Sequence, residues 1–257
     1  MNRLDGHRTL VTGAGSGIGQ ATALRLLAEG AVVVGADVMR DGLEKTTAQD
    51  PRLTTVVMDV ADEQSVVDGV RSAVNTLGGL DSVVCAAGIL RAAHTQDMST
   101  ELWNQIIGVN LTGTFLVVRE ALPTLLENAR STVVNFSSTS AAFAHPYMAA
   151  YAASKGGIQS FTHSIALEYG KQGLRAVCVA PGSIKSGITD ATAGYLPTNA
   201  DWSLLAGLSP ILPTSLESSG AGMGDPSAVA GVIAMLVSDD GAFISGTEIR
   251  IDGGTHA

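Results

Sequence analysis

The chain has 257 residues, enough for one large domain or two small ones; 46% are hydrophobic, only 4% are aromatic and 30 are glycine, which excludes a disordered polymer and suits an aliphatic, tightly turned α/β protein. A formal net charge of −9, with 24 acidic against 15 basic residues, argues against a nucleic-acid or anionic-membrane surface, since both need clustered Lys and Arg. No apolar run approaches the ~20 residues that span a bilayer and the first seven residues hold no signal-peptide core, so a cytoplasmic protein acting on small molecules is expected.

A short apolar strand over residues 8–11 leads into Thr12-Gly13-Ala14-Gly15-Ser16-Gly17-Ile18-Gly19, and a helical pattern over 20–29 follows at once. Strand, glycine-rich turn and helix together let the backbone approach a pyrophosphate, with the helix N-terminus supplying free N–H groups. The glycines fit Thr-Gly-x-x-x-Gly-x-Gly through Gly13, Gly17 and Gly19. No Gly-Lys-Ser/Thr ending follows, so a triphosphate-binding loop is unsupported. A second strand over 31–36 ends at Asp37, eighteen residues after Gly19, where a carboxylate accepts from both hydroxyls of an adenosine ribose. It would repel a 2′-phosphate, and neither Ser16 nor Val38 supplies a compensating cation; Arg40 is the nearest. NAD is therefore expected over NADP.

The third strand, 53–58, ends at Asp59-Val60. Residues 62–77 read as a helix with Val66, Val67, Val70 and Val74 on one side, and the fourth strand, 80–86, runs into Ala86-Ala87-Gly88-Ile89. Ser99 is a candidate N-cap for a helix through Trp103 and Ile107. Asn110 stands out in an apolar stretch, either as a structural hydrogen-bonder or as the holder of a water beside the reactive group. The fifth strand, 132–136, delivers Ser137 and Ser138. On a helix over 149–169, Tyr151 and Lys155 then stand at i and i+4 on one face, where a nearby ammonium lowers a phenol's pKa toward use in acid/base chemistry. Alone, such a pair more often means an ordinary amphipathic helix.

The sixth strand, 175–180, ends in Pro181-Gly182-Ser183-Ile184-Lys185-Ser186. Residues 187–224 have no sustained period and read as a lid. Asp225-Pro226 opens a last helix to about residue 236, and a strand over 248–251 closes the pattern. Cys85 and Cys178, each in an apolar run, are expected as reduced buried thiols. His7, His94, His163 and His256 show no metal-ligand spacing, so no metal is expected. With no linker or repeat, residues 1–257 are expected to form a single Rossmann-type doubly wound α/β domain: a seven-stranded parallel sheet, helices on both faces, ligand at the strand C-terminal ends. Apart from Asn110, Tyr151 and Lys155, the glycine-turn, acidic and serine candidates sit at such ends.

In these motifs the chain resembles the short-chain dehydrogenase/reductase family over its whole length. The resemblance implies that Gly13, Ser16, Gly17, Ile18 and Gly19 form a cofactor turn, with Asp37 at the ribose, Asp59 and Val60 at the adenine, and Ala87 and Gly88 beside them. It further implies that Pro181, Gly182, Ile184 and Ser186 line the nicotinamide side. Asn110, Ser138, Tyr151 and Lys155 become the catalytic group: Tyr151 exchanges a proton with the substrate oxygen, Lys155 binds the nicotinamide ribose and lowers the tyrosine pKa, Ser138 holds the oxygen, and Asn110 supports a relay water. Two departures stand out. Cys85-Ala86-Ala87-Gly88 replaces the usual Asn-Asn-Ala-Gly, removing side-chain bonds that brace the central sheet, and Ser186 stands where threonine is common.

The expectation is thus an NAD-dependent oxidoreductase interconverting a secondary alcohol and a ketone. An NADPH-type ketoreductase such as a 3-oxoacyl carrier-protein reductase, or a catalytically silent NAD-binding scaffold, is the rival. Tyr147 and Trp202 are candidate substrate contacts. His145 is read either as another or as a plain loop residue, with the loop favoured. The resemblance also implies a homotetramer.

Overall fold

The computed structural model describes residues 3–186, 194–212 and 222–256. Seven strands, β1 Arg8–Thr12, β2 Val32–Asp37, β3 Thr54–Val57, β4 Ser82–Cys85, β5 Ser131–Phe136, β6 Leu174–Pro181 and β7 Thr247–Ile251, form one sheet in the order β3-β2-β1-β4-β5-β6-β7. Every neighbouring pair is parallel, so each connection must cross over a face of the sheet. The direction of travel reverses between β1 and β4, which opens a crevice at the carboxyl ends of those strands.

Alternate strand residues point to opposite faces, and both faces here are covered. Leu10, Val83, Val133 and Ala176 fill one core with α3 Glu63–Leu77, α5 Gly113–Leu125 and α6 Ala149–Tyr169. Their neighbours Val11, Val84, Val134 and Val177 fill the other with α1 Gly17–Ala28 and the last helix, α7 Pro226–Val237. This is why the strands read as continuous apolar runs rather than alternating ones. Helix ends follow local chemistry: Asp62 caps α3 by accepting from Ser65 N at 3.0 Å, and Gly78 stops it at φ 67°. Ser99 caps α4 Thr100–Ile107 through Leu102 N at 3.1 Å.

Three features differ from the sequence expectation. Helix α1 begins at Gly17, three residues before its apolar period does, because glycines have no side chain to mark a face. A helix α2, Arg40–Thr47, escaped notice because it buries only Leu43 and Thr46. Finally, α4 and α5 are joined without a break through a π turn at Gly108–Thr112, and an 18-residue window of this rod reaches a mean hydropathy of 1.2. By length and composition alone that stretch matches a membrane span, contrary to the expectation that no run came near one. Here Leu116, Val117, Val118, Ala121 and Leu125 bury their side chains against the sheet.

Candidate active site

A cavity of about 840 Å³ runs along the strand carboxyl ends. Its first half is made mostly of main chain. Gly13 adopts φ 71°, and a Cβ there would lie 2.8 Å from Ala87 N; a Cβ on Gly19 would lie 2.1 Å from Gly13 O. The turn is therefore closed to side chains at both positions. Ser16 occupies the N-cap of α1 but its side chain makes no capping bond, so the first amides of the helix remain for a ligand on the cavity wall. Helix α2 supports the turn from behind: Thr46 Oγ1 donates to Ala14 O at 2.9 Å and accepts from Gln20 Nε2 at 2.8 Å.

Asp37 reaches this half from the end of β2. Its Oδ2 accepts from Gly15 N and its Oδ1 from Met39 N, both at 2.9 Å. Asp59 lines the same end, with Oδ1 accepting from Ala61 N at 2.9 Å, and Val60 lies beside it, packed on Gly113. Lys155 is the one Lys or Arg in the described lining; Arg40 is exposed and outside it. Ala87 N donates to Thr12 Oγ1 at 3.1 Å, a brace that serves the β4 end where the chain has Cys85-Ala86. Across the cavity Gly182 N donates to Ile251 O at 3.0 Å, Ile184 is buried beside Gly224, and Ser186 lies against Gly17. These side-chain-free approaches and uncapped amides suit the backbone of a dinucleotide.

The reactive group sits where the halves meet. Ser138, just past β5, and Tyr151 and Lys155, on the first turns of α6, all line the cavity. Ser138 Oγ accepts from Ser140 N at 3.2 Å and is hydrogen-bonded to Tyr151. Ser137, also in the lining, donates to Lys155 O at 3.3 Å. Lys155 Nζ donates to Phe136 O at 2.8 Å and stands 5.6 Å from the Tyr151 ring centroid. Burial pushes Lys155 down to about 8. Burial also holds the Tyr151 phenol above its ordinary 10, against the pull of the Ser138 bond. Desolvation is thus the larger of the two influences on the phenol.

Asn110 does not line the cavity. Its Oδ1 accepts from Ile89 N at 2.8 Å, and its Nδ2 donates to Ile89 O at 2.9 Å and to Ser154 Oγ at 3.0 Å. With its amide engaged, Asn110 ties the π turn, the segment after β4 and helix α6 into one unit. The geometry makes it a positioning residue for the site.

The substrate half is built from side chains. Leu90, Met148, Leu196, Trp202, Leu205 and Leu208 form an apolar wall, and His145 enters it. Residues 194–212 and 222–224 are the described parts of the expected lid; residues 187–193 and 213–221 lie outside the described residues. Tyr147, expected to face substrate, is instead a strut. At φ 68° it projects outward, its hydroxyl accepting from Asp201 N at 2.8 Å. Its ring meets His94 edge-on at 5.1 Å. His94 Nε2 in turn lies 2.9 Å from Asn199 Oδ1, and the Arg91 guanidinium sits 4.3 Å from the Tyr195 ring centroid. Sequence reasoning missed Arg91, His94, Tyr195, Asn199 and Asp201; only the unusual density of polar and aromatic residues at 194–202 pointed there. His256, dismissed for lack of metal spacing, stacks on Phe143 at 4.0 Å and lies 5.9 Å from His145. Among the described residues no cluster of three or more His, Cys, Asp or Glu is arranged for a metal.

The family model described as short chain dehydrogenase matches residues 7–194. The chain is 34% identical to a 3-oxoacyl-(acyl-carrier-protein) reductase of Thermotoga maritima, covering 98% of each, and 32% identical to a meso-2,3-butanediol dehydrogenase of Serratia marcescens, covering 99% of this chain and 96% of that protein. Among solved structures it is similar to levodione reductase, with a TM-score of 0.87, 30% identity and 97% of each chain covered. A 3-ketoacyl-(acyl-carrier-protein) reductase from Brucella melitensis complexed with NADH also gives 0.87, at 26% identity over 99% of this chain and 100% of that one.

Proposed function

The chain belongs to the short-chain dehydrogenase family of oxidoreductases, and from that premise we propose that it is an NAD-dependent enzyme interconverting a secondary alcohol and a ketone. The observation that carries the reading is the meeting of Ser138, Tyr151 and Lys155 on a cavity whose other half is the glycine turn with Asp37. A nicotinamide, when bound, accepts or supplies the hydride at the substrate carbon. The chain's own residues manage the oxygen. Ser138 donates a hydrogen bond to it, Tyr151 takes the hydroxyl proton in oxidation and returns it in reduction, and Lys155, buried at the base of the pair, passes the proton onward. The apolar wall excludes water while this happens.

Asp37 supports the choice of NAD. A 2′-phosphate at this end would face Asp37 and Asp59 with no lining Lys or Arg beside it. The similarity to 3-oxoacyl-(acyl-carrier-protein) reductases favours the rival, an NADPH-dependent ketoreductase. Tighter binding of NADPH than NADH, read by fluorescence titration, would decide for it. Activity is tested by NADH formation on a panel of secondary alcohols. Tyr151→Phe should lower kcat about 10²- to 10⁴-fold with NADH affinity kept, and wild-type turnover in that variant would leave a cofactor-binding scaffold as the better reading. The same proposal takes the chain as one catalytic unit, with 187–224 as its lid. It also takes the protein as a homotetramer, for which exposed Trp103, Phe115 and Leu167 on the α4–α6 side supply apolar area; solution scattering measures the mass.

A further inference from the structure

His145 Nδ1 lies 3.1 Å from the Phe143 carbonyl oxygen. A carbonyl only accepts, so Nδ1 carries the proton, and in a neutral imidazole Nε2 is then an exposed lone pair with no hydrogen. Burial holds the ring neutral by pushing it below its ordinary 6.5, against the Phe143 bond and with the help of the neighbouring His256. The carbonyl that sets this tautomer is itself fixed from the far end of the chain. The Phe143 ring stacks on His256, the Arg250 guanidinium stands 5.0 Å from its centroid, and Arg250 Nη1 donates to His256 O at 2.9 Å.

The bare nitrogen has weak company. Its contact is Thr139 Oγ1 at 3.5 Å, at the outer limit of a hydrogen bond. Thr139 directly follows Ser138, and Thr139, Ser138 and His145 all line the cavity. The acceptor thus contacts the residue next in the chain to Ser138, whose hydroxyl holds the reacting oxygen in the proposed reaction. The same cavity is lined by the apolar side chains of Met148, Trp202, Leu205 and Leu208. A simple alkyl substrate would cover the lone pair and leave it only the long Thr139 contact, whereas a substrate with a donor there would pair it at full strength.

We infer that His145 is a specificity-determining residue whose Nε2 accepts a hydrogen bond from a second hydroxyl of the substrate, one or two carbons from the reacting carbon. The preferred substrates are then 1,2- or 1,3-diols and the corresponding hydroxyketones rather than simple secondary alcohols. The inference rests on the alcohol–ketone interconversion proposed above and adds the substrate class.

The test compares cyclohexane-1,2-diol and cyclohexane-1,3-diol, as their isomers, with cyclohexanol, using the intact protein and either nicotinamide cofactor. The best diol should exceed cyclohexanol in kcat/KM by about 10- to 100-fold. His145→Leu should abolish the preference, bringing the ratio of diol to cyclohexanol kcat/KM down to about one. His145→Gln, whose amide oxygen accepts, should keep part of the preference. A readout independent of turnover is ¹⁵N NMR of the histidine rings, which should show Nδ1 protonated and Nε2 bare in His145, with Nε2 shifting on addition of the diol to the cofactor complex. Equal rates on cyclohexanol and all diols, a diol preference that survives His145→Leu, or a protonated Nε2 would each overturn the inference while leaving the parent reading intact. Absence of turnover on every alcohol with both cofactors would remove the parent reading and this one with it.

Discussion

The two halves of the cavity are built on opposite principles. The cofactor half presents backbone: glycines where a Cβ would collide, amides at the start of α1, and carboxylates bonded to the turns beside them. The substrate half presents side chains from three separated stretches, the segments around residues 90, 145 and 202, braced by ring contacts and single hydrogen bonds. A surface of main chain tolerates little change, because any added atom meets something that cannot rotate away. A surface of side chains can be re-tailored one residue at a time. The division of labour between a common cofactor and a particular substrate is thus written into what each half is made of.

The strongest way to break this contrast is to add one carbon to each half. In Gly19→Ala the new Cβ would lie 2.1 Å from a backbone oxygen, and overpacking of that kind costs about 3 kcal/mol. The melting midpoint should fall by roughly 5–10 °C and NADH binding should be lost in titration. In Gly207→Ala, on the lid helix Trp202–Leu208, the Cβ would meet nothing within 4 Å, and both quantities should stay at wild-type values. Equal damage from the two substitutions would refute the contrast.

The boundary between the halves responds to pH. With Lys155 at about 8 and Tyr151 above 10, both groups carry protons at neutral pH, so the site is poised to donate rather than accept. Raising the pH through 8 frees Lys155 to receive a proton. Alcohol oxidation should therefore climb by up to about tenfold per pH unit below that inflection, and ketone reduction should fall above it. Initial rates in both directions across pH 6–10 measure this. A flat oxidation profile would show that neither group carries the proton.

The same contrast explains what the sequence could reveal. The glycine turn, Asp37, Asp59 and the Tyr151–Lys155 pair depend on local spacing at strand ends or along one helix, and spacing is visible in a linear text. So were the seven strands, since burial on both faces makes each a continuous apolar run. Helix α2 was not, because its Thr46–Ala14 bond is made across 32 residues and leaves no period. Nor was the outward turn of Tyr147, which depends on a partner 54 residues away. The burial that raises the Tyr151 phenol was not legible either: a charge neighbour can be read from i, i+4 spacing, whereas desolvation depends on everything packed around the ring.

A smaller effect is expected at Asp37, where the halves' rules mix: a side chain proposed to read the ribose also braces the turn through Gly15 N and Met39 N. Asp37→Ser removes the negative charge and one acceptor. Charge-assisted hydrogen bonds of this type are worth about 1.5–3 kcal/mol, so the ratio of NADH to NADPH affinity should shrink by about 10- to 100-fold, mainly through weaker NADH binding. An unchanged ratio would mean that the carboxylate serves the turn alone.

The smallest effect sharpens the contrast most, because it should be felt on one side only. Tyr147 holds a positive φ of 68°, an arrangement disfavoured for a residue with a Cβ, and it is kept there by Ala93 N donating to its carbonyl at 2.9 Å and by its hydroxyl accepting from Asp201 N at 2.8 Å. Tyr147→Phe keeps the ring against His94 and deletes only the bond to the lid. One neutral hydrogen bond is worth about 0.5–1.5 kcal/mol, so KM for substrate should rise about 2- to 10-fold while the NADH dissociation constant stays fixed. The bond ties Asp201 to Tyr147 without touching the Ser138–Tyr151–Lys155 group, so kcat should change less than KM. A matching loss of NADH affinity would show that the lid also clamps the cofactor, and the two halves would then have to be treated as one.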